Sequence, residues 1–187
     1  MMKIAGNKVT LKPIDVQDIP VLWELTYGED HPQWKKWDAP YFPFKIIDFD
    51  TFFSQTKEKI EKGEDTRRLG IFVGNELIGT VTYYWEFKAT KWLEAGIGIY
   101  NPSYWNGGYG TEALSLWVDH LFKTLDIPRV GITTWSGNIR MMKAAEKVGM
   151  QLEGRMRKCR YYNGEYYDSI RMGVLREEWE ALSAAWA

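Results

Sequence analysis

Three runs of β-branched and aromatic residues, separated only by turns, constrain the fold of this chain more than any other feature. They are "RRLGIFVG" (67–74), "ELIGTVTYYWEF" (76–87) and "WLEAGIGIY" (92–100). Runs of this kind, joined by segments as short as "GNE" and "KATK", are typical of consecutive antiparallel hairpins. We therefore expect an antiparallel sheet in the middle of the chain.

The segments around these hairpins change to a helical period. From Gly110 onward, apolar residues recur at spacings of three and four and predict a long helix that ends before Pro128. The remaining predicted elements are strands at 9–14 and 129–135, helices at 15–27, 48–63 and 138–149, and a final hairpin turning at Asn163-Gly164. Together these elements predict a mixed α/β domain around one sheet.

Composition excludes several classes of protein. The 24 Lys and Arg nearly balance the 25 Asp and Glu, so the chain has no overall field that would hold nucleic acid. Cys159 is the single cysteine, which excludes an intramolecular disulfide framework and a zinc site of the CxxC type. No segment approaches the roughly 20 apolar residues of a membrane span. We expect one soluble, cytoplasmic domain over residues 1–187, with no metal and no nucleic-acid or membrane partner.

Three glycines in four positions, Gly107, Gly108 and Gly110, precede the long predicted helix. A helix N-terminus carries unpaired N–H groups and a partial positive charge, so bare backbone at this point can cradle a phosphate. A tight turn that needs positive φ explains the glycines equally well.

Spacing separates the phosphate-binding templates. Thr111-Glu112 follows the last glycine where a P-loop needs Lys and Ser or Thr, so that template fails. The dinucleotide fingerprint matches at Gly108, Gly110 and Ala113, but the next predicted strand ends in Trp135 rather than in an acidic residue for the ribose. A nucleotide-dependent oxidoreductase is therefore the weaker alternative.

The stretch "PSYWNGGYGTEA" (102–113) resembles the acyl-coenzyme A cradle of the GNAT N-acetyltransferase superfamily, in the RimJ/RimL-like branch that also contains spermidine acetyltransferases. Trp105 stands where Gln or Arg is usual in the superfamily. The resemblance continues in "TLKPIDVQDI", "IGTVTYY", "EAGIGIYNPSYW", "NIRMMKAAEKVGMQLEGRMRK" and "NGEYYDSIRMGVLREEW", and it covers practically the whole chain.

The resemblance implies a fold and an activity. The fold is a central, mostly antiparallel sheet of about seven strands, splayed at the fourth strand and flanked by about four helices. The activity is transfer of an acetyl group from acetyl-CoA, as cosubstrate, to a primary amine that attacks directly in a ternary complex. The acceptor stays open between a protein N-terminus, a polyamine and another small amine, and a homodimer stays open as well. The alternative is an acyl-CoA-binding domain that has lost catalysis.

The same resemblance implies the donor site. The backbone of the fourth strand would pair with the pantetheine arm, and the amides of residues 107–111 would bind the pyrophosphate. The residues that would bind acetyl-CoA are Ile97, Ile99, Tyr100, Trp105, Asn106, Gly107, Gly108, Tyr109, Gly110, Thr111, Asn138 and Met141.

For catalysis the resemblance implies Glu94 and Asn138. Glu94 would act as a base through water or hold a cationic substrate, although a solvent-facing strand carboxylate is an equal alternative. Asn138 would bond the pantetheine amide or water, and an N-cap explains it nearly as well. The usual tyrosine acid is replaced by Ala145, so water would supply the leaving thiolate's proton. The substrate-binding residues are predicted to be Trp34, Trp37, Tyr41 and Glu94.

Overall fold

The computed structural model describes residues 2–186, and within them eight strands form one sheet. The strands are β1 (Ile4–Ala5), β2 (Thr10–Lys12), β3 (Arg68–Val73), β4 (Glu76–Phe87), β5 (Trp92–Ile99), β6 (Arg129–Trp135), β7 (Gln151–Tyr162) and β8 (Glu165–Leu175). Their order in the sheet is β1-β2-β3-β4-β5-β6-β8-β7. Strands β5 and β6 pair in parallel, with Glu94 opposite Gly131. A parallel pair needs a crossover connection, which the third helix of the chain provides.

Five α-helices lie between and after these strands within residues 2–186. They are α1 (Ile19–Tyr27), α2 (Phe49–Glu61), α3 (Tyr109–Thr124), α4 (Ile139–Val148) and α5 (Arg176–Trp186). The Asp48 side chain caps α2 by accepting from the Thr51 amide, and Gly149 ends α4 with a φ of 100°. None of the helices in this part of the chain combines the length and apolar character that a membrane span requires.

The predicted mixed α/β sheet is confirmed, and every predicted element is present. Asn163 and Gly164 turn the final hairpin with φ values of 48° and 81°, as a tight turn with two left-handed residues requires. Two elements were missed, so the sheet has eight strands rather than about seven and the helices number five rather than about four. Strand β1 is too short to show a period, and α5 was not separated from the final hairpin. The splay at β5 and the single domain over residues 1–187 stay predictions.

The described chain divides into two compact units, and both β4 and β5 contribute to each unit. The first unit contains residues up to Thr82 together with Ile97–Ala113. Its core includes a cluster of four buried side chains from the segment after β2, from α1, from β3 and from β4: Ile14, Leu22, Phe72 and Leu77. Full burial of each such side chain stabilises the fold by about 1.5–3 kcal/mol.

The second unit contains Tyr83–Gly96 and the residues from Leu114 onward. Trp117 on α3 is almost completely buried, and its ring lies 6.2 Å from that of Tyr83. On α5, the ring of Trp179 lies 6.2 Å from that of Phe122. These aromatic contacts pack α3 and α5 within one core.

Arg176, the first residue of α5, closes the C-terminal end of α3. Its guanidinium donates to the carbonyls of Phe122, Leu125 and Ile127 at 2.9, 2.8 and 3.0 Å. The last carbonyls of a helix have no partner within the helix, and this side chain satisfies them together with the loop that follows. The start of α5 is thereby fixed to the end of α3.

We predict that Arg176→Ala lowers the free energy of unfolding by about 2–4 kcal/mol, because partly buried carbonyls lose a charged donor. Arg176→Lys should recover only part of this loss, since one ammonium cannot reach three carbonyls. Urea denaturation followed by circular dichroism measures both. The exposed Arg67 gives a matched control: Arg67→Ala should change the free energy by less than about 0.5 kcal/mol. An equal loss in the two alanine variants would contradict this role for Arg176.

Candidate functional site

The glycine-rich segment forms a tight turn that leads directly into α3. Asn106 and Gly108 have left-handed φ values of 62° and 83°. The indole Nε1 of Trp105 donates to the carbonyl of Ile99 at 2.8 Å, which fixes the turn to the end of β5. The unusual Trp105 therefore has a contact within the protein, whereas its predicted contact with acetyl-CoA stays a prediction.

In the first turn of α3, the backbone amides of Tyr109, Gly110 and Thr111 have no acceptor within the helix. Glu112 is the first residue to close a helical bond, at 3.0 Å to the carbonyl of Gly108. A Cβ on Gly110 would have the Cγ1 atom of Ile99 as its nearest neighbour, at the ordinary contact distance of 3.6 Å. Packing within the protein therefore does not require a glycine there, and the bare backbone fits a phosphate close to the helix N-terminus.

The backbone at the end of β5 has a defined direction. The amide of Tyr100 donates to the carbonyl of Ile78 on β4 at 2.9 Å. Because successive residues of a strand point their backbone groups to opposite edges, those of Ile97 and Ile99 face away from β4. They are oriented for pairing with an extended ligand, although the Ile99 carbonyl is already bonded to Trp105. The amide of Tyr100 is engaged with β4.

Glu94, on β5 in the second unit, is fully buried, with 0% of its surface exposed. Its Oε1 accepts from the indole of Trp92 at 2.9 Å and from Arg129 at 3.2 Å. Its Oε2 accepts from the hydroxyl of Thr133 at 3.2 Å, and Arg171 lies 3.6 Å from Oε1. The alternative of a solvent-facing carboxylate is therefore wrong. Both oxygens of Glu94 have donors within the protein.

Two further carboxylates extend this arrangement into a charged network. Arg129 also binds Glu153 on β7, at 2.5 Å, and Arg171 also binds Glu86 on β4, at 3.1 Å. With Glu94, the network contains three carboxylates and two guanidiniums.

Two glycines make room for the guanidinium of Arg129. A Cβ on Gly131 would lie 2.5 Å from its Nη2 atom, and one on Gly173 would lie 2.6 Å from it. A groove of about 400 Å³ lies beside this guanidinium. Its lining includes Trp92, Met156, Ser169 and Arg171.

Tyr84, also in the second unit, is close to this network. Burial raises the pKa of its hydroxyl, a hydrogen bond with Thr133 lowers it, and the negative charges of Glu94 and Glu86 raise it further. The net shift is upward, so Tyr84 keeps its proton at neutral pH.

Asn138 is the N-cap of α4, because its Oδ1 accepts from the Met141 amide at 3.1 Å. The N-cap explanation of Asn138 is thus confirmed, and its predicted contact with the pantetheine arm stays a prediction. Ala145, at the position where the resemblance implies a tyrosine acid, is 0% exposed. It offers no proton donor, and its burial leaves the position inside the packed face of α4.

The aromatic loop before α2 lies in the first unit and contains Trp34, Trp37 and Tyr41. The Trp34 ring lies 5.7 Å from Phe44 and 5.3 Å from Tyr100, in edge-on contacts. Its Nε1 atom is buried and has no hydrogen-bond partner among residues 2–186. A buried donor without a partner is costly in a folded protein, so this N–H requires an explanation.

Two residues beside the cradle were not predicted from the sequence. Lys8 donates from its Nζ to the carbonyl of Gly107 at 2.6 Å. Glu112 accepts from the backbone amides of Asn7, Lys8 and Val9. The position of Glu112 within the "GTEA" motif was the available signal, whereas nothing in the sequence near Lys8 indicated a site.

Comparisons with known proteins identify the family of this chain. The family model described as "Acetyltransferase (GNAT) domain" matches residues 8–151. The uncharacterized N-acetyltransferase YnaD of Bacillus subtilis is 26% identical over 180 residues, which cover 95% of this chain and 99% of YnaD.

Two solved structures share the fold. The spermidine N-acetyltransferase of Vibrio cholerae, solved with CoA and spermine, has a TM-score of 0.75 and 19% identity and covers 94% of this chain and 99% of its own. RimL, a ribosomal L7/L12 α-N-protein acetyltransferase solved with coenzyme A, has a TM-score of 0.71 and 19% identity and covers 93% of this chain and 98% of its own. With the family model matching well over half of the residues, the chain belongs to the GNAT acetyltransferase family and is an acetyl-CoA-dependent N-acetyltransferase.

Proposed function

We propose that this acetyltransferase acts on an α-amino group with a neighbouring carbonyl, as at the N-terminus of a peptide or protein. The observation that carries the proposal is the buried, unpartnered indole N–H of Trp34. An N–H donor needs an acceptor atom, and a peptide N-terminus brings carbonyl oxygens. A polyamine at neutral pH brings protonated amines, which are donors only. Trp34 therefore favours a peptide-like acceptor over a polyamine.

The occupied carboxylate of Glu94 supports the same acceptor. An amine must lose its proton to attack, and a lysine-like amine with a pKa near 10.4 is roughly 0.04% neutral at pH 7. An α-amine with a pKa near 8 is about one-tenth neutral, so it needs less help from a base. Since four groups of the protein surround Glu94, we assign it a positioning role rather than the role of base.

On the donor side, we propose that Ile97 and Ile99 pair with the pantetheine arm and that the amides of Gly107 to Thr111 bind the pyrophosphate. Acetyl-CoA supplies an activated thioester carbonyl. The neutral amine attacks that carbon, the C–S bond breaks and the thiolate leaves. Water takes a proton from the attacking nitrogen and returns one to the thiolate. The thiolate is a tolerable leaving group, because its conjugate thiol has a pKa of about 8.5. The missing tyrosine at Ala145 is consistent with such a path.

A panel of amines tests the proposal directly. We expect kcat/KM for a short peptide with a free N-terminus to exceed that for spermidine or Nα-acetyl-lysine amide by at least about tenfold. Activity with the peptide should rise with pH and level off above about pH 9, because an α-amine with a pKa near 8 is half neutral at about pH 8 and mostly neutral one unit higher. Free thiol released from acetyl-CoA measures both.

Two outcomes of this panel would contradict the proposal. Faster turnover of spermidine than of any peptide would overturn the peptide-like acceptor. Tight binding of acetyl-CoA with no turnover of any amine would support the alternative of a binding domain without catalysis.

The variant Trp34→Phe removes the unpartnered N–H and keeps an aromatic ring. We expect KM for the peptide to rise about 5- to 10-fold, with KM for acetyl-CoA unchanged, because one hydrogen bond to the acceptor is lost. Trp23→Phe is the matched control, since the Trp23 indole donates to the carbonyl of Ile47 at 2.8 Å. That variant should lose about 1 kcal/mol more stability than Trp34→Phe while leaving KM for the peptide unchanged. Equal changes in KM for the peptide in Trp34→Phe and Trp23→Phe would show that the Trp34 N–H does not bind the acceptor.

The variant Glu94→Gln separates positioning from base catalysis. We expect a loss of about 2–4 kcal/mol in the free energy of unfolding, because two guanidiniums lose a buried counter-charge. Below its melting temperature, the variant should keep kcat/KM for the peptide within about tenfold, whereas removal of a general base costs about 10²- to 10⁴-fold. Glu86→Gln, at the exposed end of the network, is the control and should cost less than about 1 kcal/mol. A loss of activity above a hundredfold in folded Glu94→Gln would identify Glu94 as the base.

A further inference from the structure

Lys8 lies in the turn between β1 and β2, and its ammonium reaches the phosphate cradle. Its Nζ donates to the carbonyl of Gly107 at 2.6 Å. A Cβ on Gly108 would lie 3.3 Å from the same Nζ, and the ring centroid of Tyr109 is 5.7 Å away. The cation therefore contacts the residues that lead into the first turn of α3.

Glu112 holds the Lys8 backbone in this place. Its carboxylate accepts from the amides of Asn7, Lys8 and Val9 at 3.0, 2.7 and 2.8 Å. Three consecutive amides on one carboxylate fix the turn to the first turn of α3, across about 100 residues of sequence. They also compensate a negative charge that would otherwise repel a phosphate at the helix N-terminus.

We propose that Lys8 binds the pyrophosphate of the CoA donor and that Glu112 is the positioning residue that keeps Lys8 at the cradle. The bond to Gly107 uses one of the three N–H donors of the ammonium, so the same group can also donate to phosphate oxygens. The helix N-terminus supplies only partial charges, and Lys8 adds a full positive charge beside them. The proposal rests on use of a CoA donor and not on the identity of the acceptor.

Isothermal titration calorimetry without any amine tests the role of Lys8. The probes are CoA, 3′-dephospho-CoA, which keeps the pyrophosphate, and pantetheine, which lacks every phosphate. In Lys8→Gln we expect Kd to rise about 5- to 20-fold for the first two probes and to stay unchanged for pantetheine. The rise should shrink at high ionic strength, because salt screens a largely exposed cation. Lys8→Arg should recover part of the affinity.

Lys3→Gln is the matched control, because it removes an equal charge elsewhere in the first unit. It should leave Kd for CoA, 3′-dephospho-CoA and pantetheine unchanged. A rise for CoA alone would assign Lys8 to the 3′-phosphate and overturn the pyrophosphate assignment. A rise for pantetheine as well, or no rise for any probe, would remove Lys8 from the phosphate site. Because no acceptor is present, a wrong acceptor assignment cannot produce any of these results.

The positioning role of Glu112 needs a separate test, since this variant also affects folding. In Glu112→Gln we expect weaker CoA binding, by about 3- to 10-fold, with unchanged affinity for pantetheine. If Glu112 acts through Lys8, the double variant with Lys8→Gln should bind CoA no more weakly than Lys8→Gln alone. Additive losses in the folded double variant would show that Glu112 acts independently of Lys8.

Discussion

Glu94 is fully buried on β5, and an ionised carboxylate in such a place costs several kcal/mol unless cations and donors surround it. Arg129 on β6 and Arg171 on β8 provide the cations, and each binds a second carboxylate, Glu153 on β7 and Glu86 on β4. One chain of alternating charges thus joins the five strands of the second unit. Removal of Glu94 would take the shared counter-charge from both guanidiniums, and removal of either arginine would leave the buried Glu94 with one cation, so the network constrains that sheet.

The cradle in the first unit uses charge in the opposite way. The carboxylate of Glu112 accepts hydrogen bonds from three backbone amides of the turn that contains Lys8, whereas the amides of the first turn of α3 have no intrahelical acceptor. Lys8 adds a cation at the edge of this cluster. Positive potential is therefore concentrated where a phosphate would bind, while the charges around Glu94 are paired within the protein. The two arrangements fit binding of an anion in the first unit and structural support in the second.

Local patterns made much of this structure predictable. The helix that starts near residue 48, the turn at Asn163-Gly164 and the tight turn before the helix α3 all depend on neighbours within a few positions. The burial of Glu94 was not predictable, because residues 93–95 are all buried and the strand shows no alternation there. Its partner Arg129 lies 35 residues away in sequence, and only the fold brings the two together. The contact of Lys8 with Gly107 is a long-range contact of the same kind.

The alanine at position 145 and the enclosed carboxylate of Glu94 have one chemical consequence under the proposed function. Ala145 offers no proton to the leaving thiolate, and Glu94 is surrounded by donors of the protein. An α-amine with a pKa near 8 and a thiol with a pKa near 8.5 exchange protons with water readily at neutral pH, so neither transfer demands a strong acid or base. A lysine-like amine, with a pKa near 10.4, would be almost entirely protonated at neutral pH, so the same site would need a base to deprotonate it. Catalysis would then depend chiefly on orientation of the amine and the thioester, which is the contribution that a buried donor such as Trp34 can make.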